Sequence, residues 1–351
     1  MTLTSQSEAL SDLNPTLNET SITVTQQVLS DYEAQMFLLV VRISCCSIIG
    51  LFGMVSNVIN LYVFVKQGLN TSINISFFAM AISDLIRIVT VQWMNFCSLP
   101  NIDTLGIPWV FSDIRYLSAS WPTGCANRIT LFITAYITAE RFLCIVFPLK
   151  IKKMIKPSRT VLILLAIDVV NTLGLVPEYA SVYYEWKFYP AKNKTLLGMA
   201  FRSNRSSTQG VTFSIHAALL TIALVAVIVF TIVLVIQLKS KSQWRKDNTG
   251  NKSQMESMSS RDKKTVKLVI LIAVVMAFCY TPAVVLSLVS SFIPDFGVGG
   301  RQANLFHSTW SFAYLTGIIN ASVNIFIYYK LSSKYKSTFK ELFGLTSQTK
   351  Q

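Results

Sequence analysis

The stretch TAERFLCIVFPLK, residues 138–150, ends a long apolar run with an acid and a base side by side, Glu140 and Arg141. Burying charges in hydrocarbon costs several kcal/mol, so a charged pair kept at such a position indicates a functional role. Lysines follow within the next few residues, which is typical of the cytoplasmic edge of a membrane segment.

The composition of the whole chain agrees with a membrane protein. Hydrophobic residues make up 52% of the 351 residues and charged residues only 14%, which is too apolar for an ordinary soluble domain. A bilayer core of roughly 30 Å requires about 20 apolar residues of helix. Runs of this kind cover residues 37–65, 74–98, 117–147, 160–180, 211–238, 266–293 and 304–329. The sequence therefore predicts an all-α bundle of seven transmembrane helices.

The basic residues predict the orientation of this bundle. Most of the 31 Lys and Arg residues fall on the side opposite the N-terminus, and residues 1–35 contain none. Because basic loops accumulate on the cytoplasmic side, we expect a multi-pass protein of the plasma membrane with an extracellular N-terminus. The net charge of +14 is then explained by a basic face next to anionic lipid, and no nucleic-acid partner is expected.

Two kinds of segment connect the predicted helices. Asn-X-Ser/Thr tripeptides at Asn18, Asn193 and Asn204 fall in predicted extracellular segments and are candidates for N-glycosylation. The polar, Ser-rich residues 243–264 fall on the predicted cytoplasmic side and are expected to form a flexible loop.

Five short motifs follow one another on the predicted helices. GMVSNVINLYVF contains Asn57, FFAMAISDL contains Asp84, and the third run ends in Glu140, Arg141 and Phe142. FCYTP contains Tyr280 and Pro282, and NASVNIFIY contains Asn320, Asn324 and Tyr328. In these motifs and their order, the chain resembles the rhodopsin-class (class A) G protein-coupled receptors over residues 37–343.

The resemblance implies a division of the chain and a set of partners. KLSSKYKSTFKELF resembles the short amphipathic eighth helix of these receptors. Residues 1–36 would be an extracellular tail, 37–329 the seven-helix bundle, and 330–351 the cytoplasmic eighth helix and tail. The expected partners are an extracellular ligand, a heterotrimeric G protein, arrestin and the lipid bilayer.

The same resemblance assigns a switch to the cytoplasmic end and a hinge to the sixth helix. The switch would consist of Glu140, Arg141, Phe142 and Tyr328. A carboxylate beside an arginine can hold the guanidinium in one state and release it in another when a partner docks. The alternative is an interfacial arginine that only anchors its helix. Tyr280 and Pro282 would form the hinge, because proline removes a backbone hydrogen bond.

The chain also departs from the family pattern. Tyr116 stands where these receptors usually have a cysteine bonded to the second outer loop, and residues 181–210 contain no cysteine. The usual outer disulfide is therefore not expected. In these departures the chain is similar to divergent molluscan chemosensory-type and peptide-type orphan receptors.

Asp84 falls near the middle of the second run, where an ionised carboxylate needs partners. The resemblance implies a sodium site in a polar cluster that Asp84 forms with Asn57, Thr130, Asn320 and Asn324. A direct ion pair with Arg87, at i+3 on the same helix face, is the alternative. Apart from this sodium ion, no cofactor or metal is expected.

Two further arginines lie within apolar runs. Arg128 and Arg87 lie at about the same depth, roughly 20 Å from the cytoplasmic edge by helical rise. Together they are candidates for binding an anion or a peptide carboxylate. In the alternative reading, Arg128 pairs with Asp168 of the next helix. The candidate ligand-binding residues are Arg87, Thr123, Asn127 and Arg128.

The resemblance also excludes two ligand classes. Thr123 stands where amine receptors have an aspartate, and Ile318 stands where opsins have the lysine that binds retinal. We therefore expect a receptor that binds a peptide or small molecule, anionic or chemosensory, between the helices and activates a G protein.

Two other classes of protein are weaker predictions. A secondary transporter would line a substrate path with Asp84, Arg87, Arg128 and Asp168, but transporters usually have paired repeats, and none is visible in the sequence. An enzyme is not predicted, because the two histidines, His216 and His307, show no metal-ligand spacing or nucleophile partner.

Overall fold

A computed structural model describes residues 27–147, 155–203, 205–248, 253–293, 295–297 and 300–345. In this part of the chain the main helices are α1 Asp31–Gln67, α2 Ser72–Phe96, α3 Phe111–Val146, α4 Pro157–Ser181, α5 Arg205–Asn248, α6 Ser253–Phe292, α7 Ala303–Leu331 and α8 Ser333–Leu342. Seven of them are long and apolar enough to cross a membrane. The predicted seven-helix bundle is confirmed.

The helices begin earlier than the apolar runs alone indicate. Ser30 caps α1, since its hydroxyl accepts from the Glu33 amide while the Glu33 carboxylate accepts from the Ser30 amide. This reciprocal capping box starts a helix in a polar sequence, so α1 begins at Asp31 rather than at residue 37. Short π-helical stretches, Leu38–Cys45 in α1 and Tyr116–Ser120 in α3, are also present.

The prediction of a flexible loop for residues 243–264 was wrong wherever the structure describes that segment. Helix α5 continues to Asn248 and α6 already begins at Ser253, while residues 249–252 lie outside the described part. Helix propagation fixes one residue for each hydrogen bond gained, so it costs much less than nucleation. The packed apolar portions of α5 and α6 therefore extend into polar sequence.

Helix α3 occupies the centre of the bundle. It packs against α2, α4, α5 and α6, and fourteen of the residues in its regular α-helical part are buried, several of them polar. The outward faces of the other helices expose large apolar side chains such as Val225, Ile232 and Phe326. This inverted pattern, polar inside and apolar outside, is the one that lipid favours.

A β-hairpin between α4 and α5 covers one end of the bundle. Strand β1, Val182–Tyr189, pairs antiparallel with β2, Lys194–Phe201. Leu197 exchanges backbone hydrogen bonds with Pro108 and Val110, before α3, at 2.8 and 2.9 Å. The Asp113 carboxylate accepts from the Met199 amide at 2.9 Å. The hairpin is thus fixed to the start of α3, and we call this the hairpin end of the bundle.

Helix α8 marks the opposite end, called here the α8 end. The Ser332 hydroxyl caps the helix by accepting from the Tyr335 amide. The buried Tyr335 hydroxyl donates to Asn60 Oδ1 of α1 at 2.6 Å, and an exposed ion pair joins Lys66 and Glu341 at 2.9 Å. These contacts hold α8 against α1.

Candidate functional site

A cavity opens at the hairpin end between α3, α5, α6 and α7, with α1 on one side. It encloses about 1050 Å³ of empty space, counted to its open mouth. Clefts between the helices of a bundle are a usual place for ligand pockets, so the space is a candidate site for a small molecule or one end of a peptide. Aromatic side chains, including Trp121, Phe213, Phe306 and Trp310, form much of the wall.

One of the four candidate ligand-binding residues lines this cavity, and the structure places the others in contacts within the protein. Asn127 lies in the wall. Thr123 is fully buried and donates to the Thr90 hydroxyl of α2 at 2.8 Å. Arg87 and Arg128 are both buried away from the lining, and ligand binding by any of the four stays a prediction.

Arg128 joins α3 to α4 and α5. Its Nε and Nη2 donate to the side-chain and backbone oxygens of Asn171, at 3.1 and 2.9 Å. Its Nη1 lies 2.5 Å from Nδ1 of His216, which lines the cavity. Because arginine can only donate, Nδ1 must accept, and the imidazole proton is on Nε2. The alternative pairing with Asp168 is not formed: the Asp168 side chain is exposed on the outer face of α4.

Arg87 joins α2 to α6 just beneath the cavity. Its Nη1 donates to the Tyr280 hydroxyl at 2.8 Å, and its guanidinium carbon lies 5.1 Å from the centre of the Tyr280 ring. The group fits against Gly317 of α7 so closely that a Cβ atom there would overlap Arg87. Within the described residues it forms no ion pair with Asp84, so the direct pair, the alternative to the polar cluster, is not formed.

Asp84 instead has uncharged partners. It accepts from Asn324 Nδ2 at 2.9 Å, and the Thr130 hydroxyl lies 3.4 Å from its other oxygen. Asn57 donates to backbone carbonyls of α1 and α7. The buried Asn320 amide has no hydrogen-bond partner for either its nitrogen or its oxygen. Carboxylate, hydroxyl and amide oxygens suit a hard cation, so this donor set fits a sodium ion.

The charged pair of the opening motif lies at the α8 end and is held by a chain of hydroxyl groups. Glu140 is 2% exposed and pairs with Arg141. The Ser72 hydroxyl of α2 donates to Glu140 Oε2 at 2.6 Å, and the Thr160 hydroxyl of α4 donates to Ser72 at 2.7 Å. Phe142, the third residue of the motif, packs partly buried against the main core.

Tyr328 lies in an aromatic cluster at the same end. Its ring centre is 5.2 Å from that of Phe64, 5.0 Å from Phe77 and 5.4 Å from Tyr335. It also lines a second cavity, of about 1500 Å³ counted to open solvent, whose wall includes Lys264 of α6. Arg141 is not among the residues of that wall.

Pro282 lies inside α6, which continues on both sides of it. Proline has no backbone N–H, so the carbonyl four residues earlier loses its helical partner. The Thr316 hydroxyl of α7 donates to the next carbonyl of α6, that of Cys279, at 2.8 Å. This contact ties α7 to the weakened turn of α6.

Two groups of residues that sequence reasoning did not select contribute to the hairpin end. Arg42 of α1 and Arg115 of α3 both line the cavity. Arg42 could have been found from the sequence, because it is a charge inside the first apolar run. The second group joins Tyr116, Glu178 and Arg205 by hydrogen bonds. Nothing local in the sequence connects these three residues.

The glycosylation candidates differ in what the structure describes. Asn193 is exposed at the tip of the hairpin, with a left-handed φ of 47°. Asn18 and Asn204 lie outside the described residues.

Comparisons with known proteins agree with this architecture. The model of the family described as serpentine type 7TM GPCR chemoreceptor Srw matches residues 44–346. The chain is 24% identical to the thyrotropin-releasing hormone receptor of Gallus gallus, over 93% of this chain and 83% of that protein. It is 23% identical to neuropeptide FF receptor 2 of Rattus norvegicus, over 89% and 74% of the two chains. It is 21% identical to the allatostatin-A receptor of Bombyx mori, over 84% and 77%.

Proposed function

The chain belongs to the serpentine-type seven-transmembrane chemoreceptor family of G protein-coupled receptors, and we propose that the cavity at the hairpin end is where it binds an extracellular peptide or small molecule. It is a ligand-binding G protein-coupled receptor and a multi-pass membrane protein. The resemblance to class A receptors is confirmed, and the comparisons give no support to the transporter. The family and its relatives are receptors, and we assign no enzymatic activity.

The observation that carries the proposal is the course of α3. Asn127 lines the cavity, and Arg141 lies on the same helix, about 20 Å further along at about 1.5 Å per residue. One helix therefore connects the candidate ligand site with the charged pair at the α8 end. A ligand that shifts the packing around α3 at one end can act on the Glu140–Arg141 contact at the other.

The proposed orientation places the hairpin end outside the plasma membrane. The lysine and arginine residues are concentrated towards the α8 end, and such residues favour the cytoplasm. The N-terminus would then be extracellular, and Asn193 would be accessible for N-glycosylation, with Asn18 and Asn204 as further candidates.

Both peptides and small molecules remain in the proposed ligand class. The family name refers to chemoreceptors, whereas one relative is named a neuropeptide receptor and another a hormone receptor. The cavity is open at its mouth and lined largely by aromatic side chains, which suits either a small compound or the end of a peptide.

The proposed activation step is a movement of α6 about Pro282. Ala283 and Ser287 line the cavity, while Tyr280 lies below it in contact with Arg87. A ligand that displaces the upper part of α6 would act across the weakened turn at Pro282. Outward movement of the lower part would open the space beside Tyr328 and free Arg141 for a heterotrimeric G protein. Arrestin is proposed as a later partner at the same face.

A sodium ion is proposed as a second small ligand of the bundle. Asp84 and Thr130 would hold it, and Asn320, whose buried amide oxygen has no partner among the described residues, is a further candidate ligand. The ion would balance the buried carboxylate charge, and Asn57 and Asn324 would keep the surrounding helices in place.

Second-messenger output tests the proposed function. Cells expressing the chain are screened with peptide and small-molecule libraries, and an active compound is then applied to Arg141→Ala. We expect the signal to disappear in this variant while delivery to the cell surface stays normal. Lys194→Ala, a change at an exposed hairpin lysine, is the control and should signal normally. Undiminished signalling by Arg141→Ala would rule out the proposed switch.

A further inference from the structure

The chemistry of one cavity wall indicates what kind of ligand fits. We propose that Arg42 and Arg115 bind a carboxylate on the ligand, so that the receptor recognises an organic acid with an apolar body. The inference rests on the proposed function of the cavity as the ligand site. It assigns anion recognition to these two arginines rather than to Arg87 and Arg128, which are engaged elsewhere in the bundle.

Arg42 is a buried cation without a charged partner. Its side chain lies in the π-helical stretch of α1 and is only 4% exposed. It donates no hydrogen bond to any described residue, its Nε is buried without a partner, and the ring centre of Tyr314 lies 5.6 Å from its guanidinium carbon. Arginine cannot shed its proton in a protein, and a buried unpaired charge costs several kcal/mol. No described carboxylate balances the charge of Arg42.

Arg115 presents a second guanidinium to the same wall. Its Nη1 donates to the Ser98 hydroxyl at 2.7 Å, which orients the group without neutralising it. Among the described residues, no carboxylate lies within 4.0 Å of Arg42 or Arg115. Two acids at the hairpin end serve other contacts: Asp113 accepts from the Met199 amide, and Glu178 binds Arg205.

The two cations belong to one site. Both line the same cavity together with His307. Like charges brought together in a poorly hydrated wall are unfavourable, and an anion between them removes the repulsion. A guanidinium fork matches a carboxylate in bidentate geometry, so a carboxylate satisfies the unused donors.

The rest of the cavity defines the body of the ligand. Trp121, Phe213, Phe306 and Trp310 supply flat apolar surface, which suits an aromatic or aliphatic group. Across the cavity, His216 keeps its proton on Nε2 because Arg128 occupies Nδ1, and it offers a donor for one further polar atom. Two sources share this chemistry: a peptide with a free C-terminal carboxylate after an apolar residue, and a small aromatic acid.

Ligand-dependent stabilisation of the purified full-length receptor in lipid nanodiscs tests the assignment. The probes are benzoate, indole-3-acetate and a tripeptide ending in phenylalanine with a free carboxylate, each compared with its primary amide. We expect at least one acid, and no amide, to raise the unfolding temperature in a dose-dependent way. Stabilisation by the tripeptide alone indicates a peptide source, and stabilisation by the small acids indicates a small-molecule source.

Substitutions then locate the site. Arg42→Gln and Arg115→Gln should each raise the Kd of the active acid about tenfold or more, because each removes a charge-assisted contact. Arg42→Lys, which keeps the charge, should lose less, and Arg202→Gln, at an exposed hairpin arginine, should bind normally. Equal stabilisation by acids and amides, no stabilisation by any acid, or acid binding that survives both Gln variants would overturn the proposal.

G-protein nucleotide exchange, measured on the same preparations, separates this inference from the proposed function. Acid binding without nucleotide exchange would support the anion site and contradict the proposal that ligands in this cavity cause signalling. Nucleotide exchange caused only by an uncharged ligand would support the proposed receptor function and overturn the anion site.

Discussion

The hydroxyl group of Tyr116 in α3 donates to Oε1 of Glu178 in α4 over 2.8 Å. Arg205 of α5 closes the triangle, with Nη1 2.7 Å from Glu178 Oε1 and Nη2 2.9 Å from the Tyr116 oxygen. Tyr116 stands where related receptors usually carry the cysteine of the outer disulfide. A buried network of hydrogen bonds thus connects α3, α4 and α5 beneath the hairpin, where those receptors have a covalent bond.

Glu178→Gln should destabilise the receptor more than Tyr116→Phe does. Removing the carboxylate leaves Arg205 largely buried without its counter-charge, at a cost of about 3 kcal/mol. Removing only the tyrosine hydroxyl costs about 1 kcal/mol. Thermal unfolding of the purified variants measures both, and the double variant should lose less than the sum because the residues share one network. Strictly additive losses would show that the three residues act independently.

Ser72→Ala should raise signalling in the absence of ligand. The Ser72 hydroxyl is the donor that holds Glu140 beside Arg141, and a hydrogen bond to a charged group contributes about 1.5–3 kcal/mol. Its loss should raise the basal activation of G protein about tenfold, as measured by nucleotide exchange. Ser56→Ala is the matched control, because that buried serine bonds only to a carbonyl of its own helix. Basal activity no higher than that of the control would argue against the hydroxyl chain as a restraint.

Gly317→Ala should disturb the contact between Arg87 and Tyr280. The added methyl group would occupy the space of the guanidinium, and overpacking of this kind costs about 1–3 kcal/mol. Arg87→Ala in the same molecule should remove most of the penalty, since the clash disappears. Gly210→Ala is the control, because a Cβ there meets open space. The unfolding temperatures of Gly317→Ala, Arg87→Ala, their double variant and Gly210→Ala give the comparison, and an undiminished penalty in the double variant would place the clash elsewhere.

Asn171→Leu should destabilise the bundle, whereas Asp168→Ala should not. Asn171 supplies the side-chain oxygen that Arg128 Nε uses, and leaving a buried charged donor unpaired costs about 1–3 kcal/mol. Asp168 is exposed and forms no pair with Arg128, and a carboxylate within an apolar span is itself costly, so its loss should leave the stability unchanged or raise it. Unfolding in denaturant or by heat distinguishes the two residues. The reverse ranking would restore the ion pair inferred from the sequence.

The seven helices could be predicted from the sequence because each depends on a local property, the length of an apolar run. Their ends could not, since capping by Ser30 and Glu33 lies in polar sequence. The hairpin was also missed. Its register is set by contacts with Pro108, Val110 and Asp113, which lie far from β1 and β2 along the chain.

In the candidate site too, local features could be predicted from the sequence and contacts between helices could not. Motif positions such as Asp84, Arg141 and Tyr280 could be found, because residue type and order alone identify them. The hydrogen-bond partners of the buried arginines could not be predicted, because each arginine had several acceptors within reach. Arg87 binds Tyr280 rather than Asp84, and Arg128 binds Asn171 rather than Asp168. Helix rotation and depth decide between such acceptors, and spacing along one helix does not reveal them.

The fit of Arg87 against Gly317 also limits how this sequence can diverge. A side chain at 317 and a guanidinium at 87 compete for the same volume, so position 317 cannot accept a larger residue while the guanidinium stays in this place. In descendants of this receptor, a larger residue at 317 should appear only together with a shorter one at 87. The pair should therefore be inherited as a unit, although its two members are far apart in the chain.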